Sequence, residues 1–109
     1  MTQQAIRFVK VGRAADVPSG GRETFEVDGR HIAVFRLDDG FYAIEDICTH
    51  DGGPLAEGEV EDDVVVCPRH GARFSIRTGA ALSLPAFVPV ETFPVRVDGE
   101  DLLLGVPEE

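Results

Sequence analysis

The chain has 109 residues and a formal net charge of −10, with 43% hydrophobic and 28% charged residues. These are ordinary values for a compact globular protein, and we expect one domain over residues 1–109. The negative charge argues against binding to nucleic acid or anionic membranes and favours a partner with a basic docking face. Charge of this kind is equally compatible with a role in solubility alone.

The first residues, MTQQAIRFVKVGR, lack the apolar stretch of a signal peptide. No run in the chain approaches the roughly 18 apolar residues that a membrane span needs. We therefore expect a cytoplasmic protein without a membrane partner.

Short segments of alternating apolar and polar residues follow one another along the chain, separated by turns rich in Asp and Gly. One helical turn is predicted at Ala14 to Val17, ended by Pro18. Strands are predicted near residues 6–11, 24–27, 31–37, 41–45, 58–61, 63–67, 73–76, 92–97 and 101–106. The sequence thus predicts an antiparallel all-β domain, with several Asp-Gly hairpins.

Both cysteines of the chain stand close to a histidine, in two boxes that each follow a predicted strand. The first box is Cys48-Thr-His50 and the second is Cys67-Pro-Arg-His70, with sixteen residues between them. Two thiolates and two imidazoles complete four metal positions. Gly52, Gly53 and Gly71 flank the boxes, where the backbone must bend sharply. We expect two similar loops from one sheet to face each other and bind metal.

The four side chains alone leave other chemistries open. A structural Cys₂His₂ zinc site uses the same ligands. A Cys–His nucleophile pair is also conceivable, although no third orienting group or oxyanion site is evident. A single disulfide between the two cysteines is arithmetically possible, but their neighbouring histidines favour metal.

Three segments resemble the Rieske ferredoxins that serve bacterial ring-hydroxylating oxygenases: CTHDGGPL, CPRHGARFSIRTG and ALSLPAFVPVETFPVRVDG. The resemblance covers about residues 5–106. It implies a Rieske-type antiparallel β-sandwich of short sheets, with a small cluster-binding subdomain formed by two loops at about 45–86. The Leu84-Pro85 segment resembles the third loop that covers one side of the cluster in this family.

The resemblance also implies a cofactor and a role. One [2Fe–2S] cluster is expected, with Cys48 and Cys67 on one iron and His50 and His70 on the other. The protein would then be no enzyme but a one-electron carrier between a flavin-dependent reductase and a terminal oxygenase or another redox protein. A catalytic oxygenase subunit is excluded, because only His31 remains for a mononuclear iron site. A Rieske-like small subunit of a nitrite reductase is the alternative within the superfamily.

Departures from the respiratory-chain Rieske proteins bear on the reduction potential. Those proteins have an extra cysteine in each box and a serine and a tyrosine that donate hydrogen bonds toward the cluster. The corresponding positions here resemble Gly53, Arg69, Ala72 and Phe74. Without those donors, we expect a potential at the low end of the range of about −150 to +300 mV for His-ligated clusters.

Two further features are expected to lie outside the metal site. His31 falls in a strand segment and is interpreted as an ordinary surface or sheet residue. The acidic run between the boxes either steers a basic partner toward the cluster or is a solvated hairpin. It comprises Glu57, Glu59, Glu61, Asp62 and Asp63.

Overall fold

The computed structural model describes residues 5–47, 54–68, 71–84 and 88–107, and within them the regular secondary structure consists almost entirely of strands. One 3₁₀ turn, Ala14–Asp16, is present at the predicted helical turn. The strands are β1 Ile6–Arg13, β2 Arg22–Val27, β3 Arg30–Leu37, β4 Gly40–Glu45, β5 Glu59–Glu61, β6 Val64–Val66, β7 Arg73–Ser75, β8 Thr92–Phe93, β9 Val95–Asp98 and β10 Asp101–Pro107. In these residues no helix has the length and apolar character of a membrane span.

The strands form three antiparallel sheets. The outer sheet has the order β1-β10-β9, the central sheet β2-β3-β4-β8 and the small sheet β5-β6-β7. Each neighbouring pair is antiparallel. The predicted all-β fold of short antiparallel sheets is therefore confirmed.

The central sheet lies between the other two and buries both of its faces. On one face, Ile32 and Val34 of β3 pack with the outer sheet; on the other, Ala33 and Phe35 pack with the small sheet. Successive side chains of a strand point to opposite faces, so adjacent residues of β3 enter different cores. This explains the unbroken apolar run in the middle of β3, which is typical of strands that are covered on both sides.

The predicted strand at 92–97 is divided in two. Thr92–Phe93 pairs with β4 in the central sheet, whereas Val95–Asp98 pairs with β10 in the outer sheet. Pro94 stands between them, and proline has no N–H to continue a ladder. Its carbonyl accepts a hydrogen bond from the Gly105 N–H at 2.9 Å. The chain thus crosses from one sheet to the other at Pro94.

The Asp28-Gly29 hairpin has the geometry that its sequence predicts. The two residues join β2 to β3 and have φ angles of 52° and 81°. Positive φ at both central positions is the requirement of a type I′ turn, which matches the twist of the flanking strands.

Candidate metal centre

Of the four predicted ligands, Cys67 lies in the described part of the chain, while Cys48, His50 and His70 lie outside it. Cys67 follows β6 directly and is 1% exposed. It packs with Ala72 and Phe74 in the core between the central and small sheets. Its sulfur therefore lies at a protected site at the end of a strand.

The second box spans a turn that two backbone hydrogen bonds close. The Cys67 N–H donates to the Ala72 carbonyl at 2.7 Å, and the Gly71 N–H donates to the Cys67 carbonyl at 3.0 Å. Gly71 has a φ of 73°, a left-handed conformation that side chains rarely adopt. A Cβ there would meet nothing within 4 Å, so backbone conformation, not space, requires the glycine.

The first box leaves the end of β4 and is fastened on both sides. Before the box, the Asp46 N–H donates to the His31 carbonyl on β3 at 2.8 Å. After it, the Ala56 N–H donates to Asp46 Oδ1 at 2.7 Å, and Arg22 Nη1 donates to the Ala56 carbonyl at 2.8 Å. Arg22 also donates to the Gly58 carbonyl. Asp46 and Arg22 were not among the sequence-predicted site residues, because such side-chain contacts with distant backbone leave no pattern in the sequence.

The expectation that both boxes come from one sheet is wrong. The first box follows β4 of the central sheet, whereas the second joins β6 to β7 of the small sheet. The short turns between β5, β6 and β7 close these strands into a separate three-stranded sheet. Val65 and Phe74 of that sheet pack against Ala33 and Ile44 of the central sheet. The placement of one box relative to the other thus depends on packing between two sheets.

The segment of the predicted third loop runs beside β7. The Leu82 N–H donates to the Arg73 carbonyl at 2.7 Å, and the Arg73 N–H donates to Ser83 Oγ at 3.1 Å. Leu84 follows with 68% of its surface exposed. Pro85 lies outside the described residues. Leu84 is thus an exposed apolar residue at the end of a segment that is fixed to the second box's sheet.

Arg77 connects the central and small sheets at the ends opposite to the boxes. Its Nη1 donates to Asp39 Oδ2 at 2.5 Å and lies 2.8 Å from the Tyr42 hydroxyl oxygen, while its Nε donates to Asp63 Oδ2 at 3.1 Å. The Arg77 hydrogen bond lowers the pKa of Asp39 against an opposing effect of desolvation. The same bond raises the pKa of Arg77. We call these four residues the Arg77 clasp.

The remaining predicted features lie at the surface. His31 is exposed on β3, as expected for an ordinary strand residue. In the acidic run, Glu61 pairs with Arg73 and Asp63 with Arg77, while Glu57, Glu59 and Asp62 are exposed. Over the ranges that the structure describes, no three His, Cys, Asp or Glu side chains come together to hold a metal ion.

Comparison with known proteins identifies the family. Residues 7–94 match the family model of the Rieske [2Fe-2S] domain. The chain belongs to the Rieske [2Fe–2S] family. Over 96 residues it is 46% identical to the ferredoxin subunit of 3-phenylpropionate/cinnamic acid dioxygenase from Escherichia coli (strain K12). The match covers 86% of this chain and 89% of the relative, and the relative from Shigella boydii serotype 4 (strain Sb227) is equally similar.

Solved Rieske ferredoxins share the fold. The ferredoxin of carbazole 1,9a-dioxygenase from Nocardioides aromaticivorans IC177 is 35% identical, with a TM-score of 0.85 over 93% of this chain and 98% of that chain. A chain in a complex of reduced oxygenase and oxidised ferredoxin of carbazole 1,9a-dioxygenase is 36% identical, with a TM-score of 0.85 over 94% and 95% of the two chains.

Family membership settles the cofactor and the class of protein. The protein carries one [2Fe–2S] cluster, so the zinc interpretation is excluded. It is a Rieske ferredoxin, an electron carrier and not itself a catalytic enzyme. The described half of the second box fits such a group, since it provides a shielded thiol and a glycine in the left-handed conformation within the turn.

Proposed function

We propose that the protein passes electrons, one at a time, from a flavin-dependent reductase to the terminal oxygenase of a ring-hydroxylating dioxygenase system in the cytoplasm. Support comes from the 46% identity to dioxygenase ferredoxin subunits over most of both chains. We further propose that residues 1–109 form one domain, with the cluster-binding portion at about 45–86.

We propose Cys48 and Cys67 as ligands of one iron, and His50 and His70 as ligands of the other. The observation that carries this assignment is the buried Cys67 at the end of β6, in a turn closed by hydrogen bonds on either side of the second box. The spacing of the first box, which follows β4, supplies the matching pair. The ligand side chains hold and insulate a group that accepts and releases one electron.

The proposed ligand types predict that this carrier accepts electrons more readily than a four-cysteine ferredoxin. Two ferric ions, two sulfides, two thiolates and two neutral imidazoles sum to zero charge, whereas four thiolates leave a net negative cluster. Adding an electron to a neutral centre costs less electrostatic energy. The imidazole rings, which extend further than cysteine side chains, provide the edge at which electrons enter and leave.

Single substitution of each proposed ligand tests the assignment. Cys48→Ser, His50→Ala, Cys67→Ser and His70→Ala should each abolish or strongly reduce the iron and acid-labile sulfide bound by anaerobically purified protein. The EPR signal of the dithionite-reduced protein should disappear with them. His31→Ala is the matched control, because His31 is an exposed histidine on β3. Full cluster content in any of the four ligand variants would contradict the assignment of that residue.

Reconstitution with purified partners tests the role. Reduced protein mixed with oxidised terminal oxygenase of a ring-hydroxylating dioxygenase should be re-oxidised in a stopped-flow experiment, and the reductase should then reduce it again with NADH. Cys67→Ser protein is the control for transfer that bypasses the cluster. Electron transfer to a nitrite reductase but to no oxygenase would favour the small-subunit alternative.

A further inference from the structure

The backbone of Ala56 is bonded by the side chains of Asp46, which directly follows β4, and Arg22, which begins β2. Its N–H donates to Asp46 Oδ1 at 2.7 Å, and its carbonyl accepts from Arg22 Nη1 at 2.8 Å. Asp46 stands two residues before Cys48, and Ala56 stands two residues after Pro54. The Asp46–Ala56 hydrogen bond therefore closes a loop that contains the whole first box.

Both anchoring side chains are themselves fixed. The Asp46 N–H is bonded to the His31 carbonyl at 2.8 Å, which ties the backbone of Asp46 to β3. Arg22 belongs to β2, is partly buried, and its guanidinium lies 5.8 Å from the centre of the Phe35 ring. Its bond to the Gly58 carbonyl extends the attachment to the start of β5. The exit of the first box is thus attached to two strands of the central sheet.

The attachment of Ala56 restricts where the ligands of the first box can lie relative to the second box. The first box follows the central sheet while the second box belongs to the small sheet, so no β ladder among the described residues sets the distance between them. Residue 56 lies where the chain passes from one sheet to the other, next to the fully buried Leu55. A loop that is fastened at both ends loses less conformational entropy when its side chains bind a rigid group.

We infer that Asp46 and Arg22 are positioning residues for the [2Fe–2S] cluster, acting through the backbone of Ala56 and without contacting the cluster. This inference rests on the proposed assignment of Cys48 and His50 as ligands. Because each iron takes one ligand from the first box, a displaced box disturbs both metal ions. The two residues hold the cluster tightly and keep its ligand geometry uniform.

Release of the cluster from holoprotein measures this role. With excess ferrous chelator and dithionite, Asp46→Ala should lose its visible absorption about three- to tenfold faster than the wild type, the factor expected for one hydrogen bond. Asp46→Asn keeps an oxygen acceptor at the same position and should restore the rate to near the wild-type value. Arg22→Ala should also accelerate release. The EPR lines of the reduced Asp46→Ala protein should broaden, or their g values should shift.

The matched control is Arg7→Ala, which removes the Arg7–Asp28 ion pair between β1 and the β2–β3 turn and does not touch the first box. Its release rate and EPR spectrum should equal those of the wild type, even where its urea midpoint falls as far as that of Asp46→Ala. If Asp46→Ala is recovered without cluster, the release rates of Arg22→Ala and Arg7→Ala are compared instead. Faster release from Arg22→Ala supports the inference.

Three results would overturn the inference: wild-type release in Asp46→Ala, equally fast release in Asp46→Asn and Asp46→Ala, or equal effects of Arg22→Ala and Arg7→Ala. The ligand proposal fails by a different result, namely full cluster content in Cys48→Ser or His50→Ala. The two proposals are therefore separately testable on the same set of purified proteins.

Discussion

Ala72 and Phe74 stand where the resemblance places the hydrogen-bond donors of respiratory-chain Rieske proteins, and the predicted low potential depends on them. Both are fully buried, and both pack in the same core as Cys67. Neither carries a hydroxyl group, and Ala72 accepts a hydrogen bond from the Cys67 N–H through its backbone carbonyl, at 2.7 Å. Thus neither side chain offers a hydrogen bond to sulfur, whose electron density increases on reduction.

Ala72→Ser and Phe74→Tyr should each raise the reduction potential. A hydrogen bond that is stronger by about 1 kcal/mol in the reduced protein raises a one-electron potential by roughly 40 mV. Redox titration followed by circular dichroism or EPR measures the change. Ala81→Ser is a control at a partly buried position bridged to Phe74 and outside both boxes. An unchanged potential in both variants would show that neither hydroxyl reaches the cluster environment.

At the scale of the elements, Gly58, which directly precedes β5, lies so close to the end of β6 that a side chain there would clash. A Cβ on Gly58 would lie 2.9 Å from the carbonyl carbon of Val66 and closer still to its oxygen. Since Val66 directly precedes Cys67, a shift of Val66 that relieves this clash moves the start of the second box.

Gly58→Ala should therefore lower the free energy of unfolding by about 1–3 kcal/mol and also weaken cluster retention. Gly99→Ala is the control, because Gly99 has a φ of 63° but open space around its Cβ position. It should reduce stability through backbone strain and leave cluster release unchanged. Urea unfolding and chelator-induced bleaching separate the two effects. Equal bleaching rates in both variants would contradict the link between Gly58 and the second box.

The Arg77 clasp should make stability depend on pH through Asp39. Because the pKa of Asp39 is lowered from its ordinary value of 3.8, its stabilising effect is present above that value and is lost as pH falls through the folded-state pKa. Wild-type protein should thus be more stable than Asp39→Asn near neutral pH, and the difference should shrink below about pH 4. The urea midpoints of wild-type and Asp39→Asn holoprotein are measured at each pH, and the difference between them is taken. The acid sensitivity that both proteins share does not contribute to this difference. A difference that is constant with pH would contradict this interpretation.

Local patterns predicted the elements well because turns and alternation are local properties. Asp28-Gly29 predicts the hairpin between β2 and β3, and the alternation of Phe25 and Val27 with polar residues predicts a half-buried strand. The assignment of strands to sheets was not predictable in the same way. Thr92–Phe93 and Val95–Asp98, on either side of Pro94, pair with strands of different sheets. Which sheet each segment joins depends on the positions of β4 and β10 in the fold.

The same difference between local and long-range information applies to the candidate site. Ligand types and spacing are encoded locally, so both boxes were found in the sequence. The side chains that fasten the first box or join the sheets act over long sequence distances. Arg22 contacts Ala56, 34 residues away, and Arg77 contacts Asp39, 38 residues away. Such contacts follow from sheet packing and cannot be recognised before the fold is known.

At the scale of the whole molecule, the charge of −10 should control how fast the protein meets a partner. The rate of electron transfer to a partner with a basic face should fall steeply as ionic strength rises, because the screening length is only about 8 Å at 0.15 M salt. Stopped-flow rates at several salt concentrations measure this dependence.

The acidic residues beside the first box can be tested against others of equal charge. Glu57→Gln with Glu59→Gln should flatten the salt dependence more than Glu23→Gln with Glu26→Gln, which removes two exposed carboxylates on β2. Equal effects of the two pairs would mean that overall charge, not the acidic run, attracts the partner.

The central sheet also limits how the protein can be divided. Its strand β3 supplies Ala33 and Phe35 to the core that holds Cys67, yet β3 lies well before the segment 45–86. A peptide cut to that segment would expose Phe74 and Val65 to water and would lose the surface on which the small sheet rests. Evolution or engineering can therefore transplant the two boxes into another protein only together with a sheet that replaces β3.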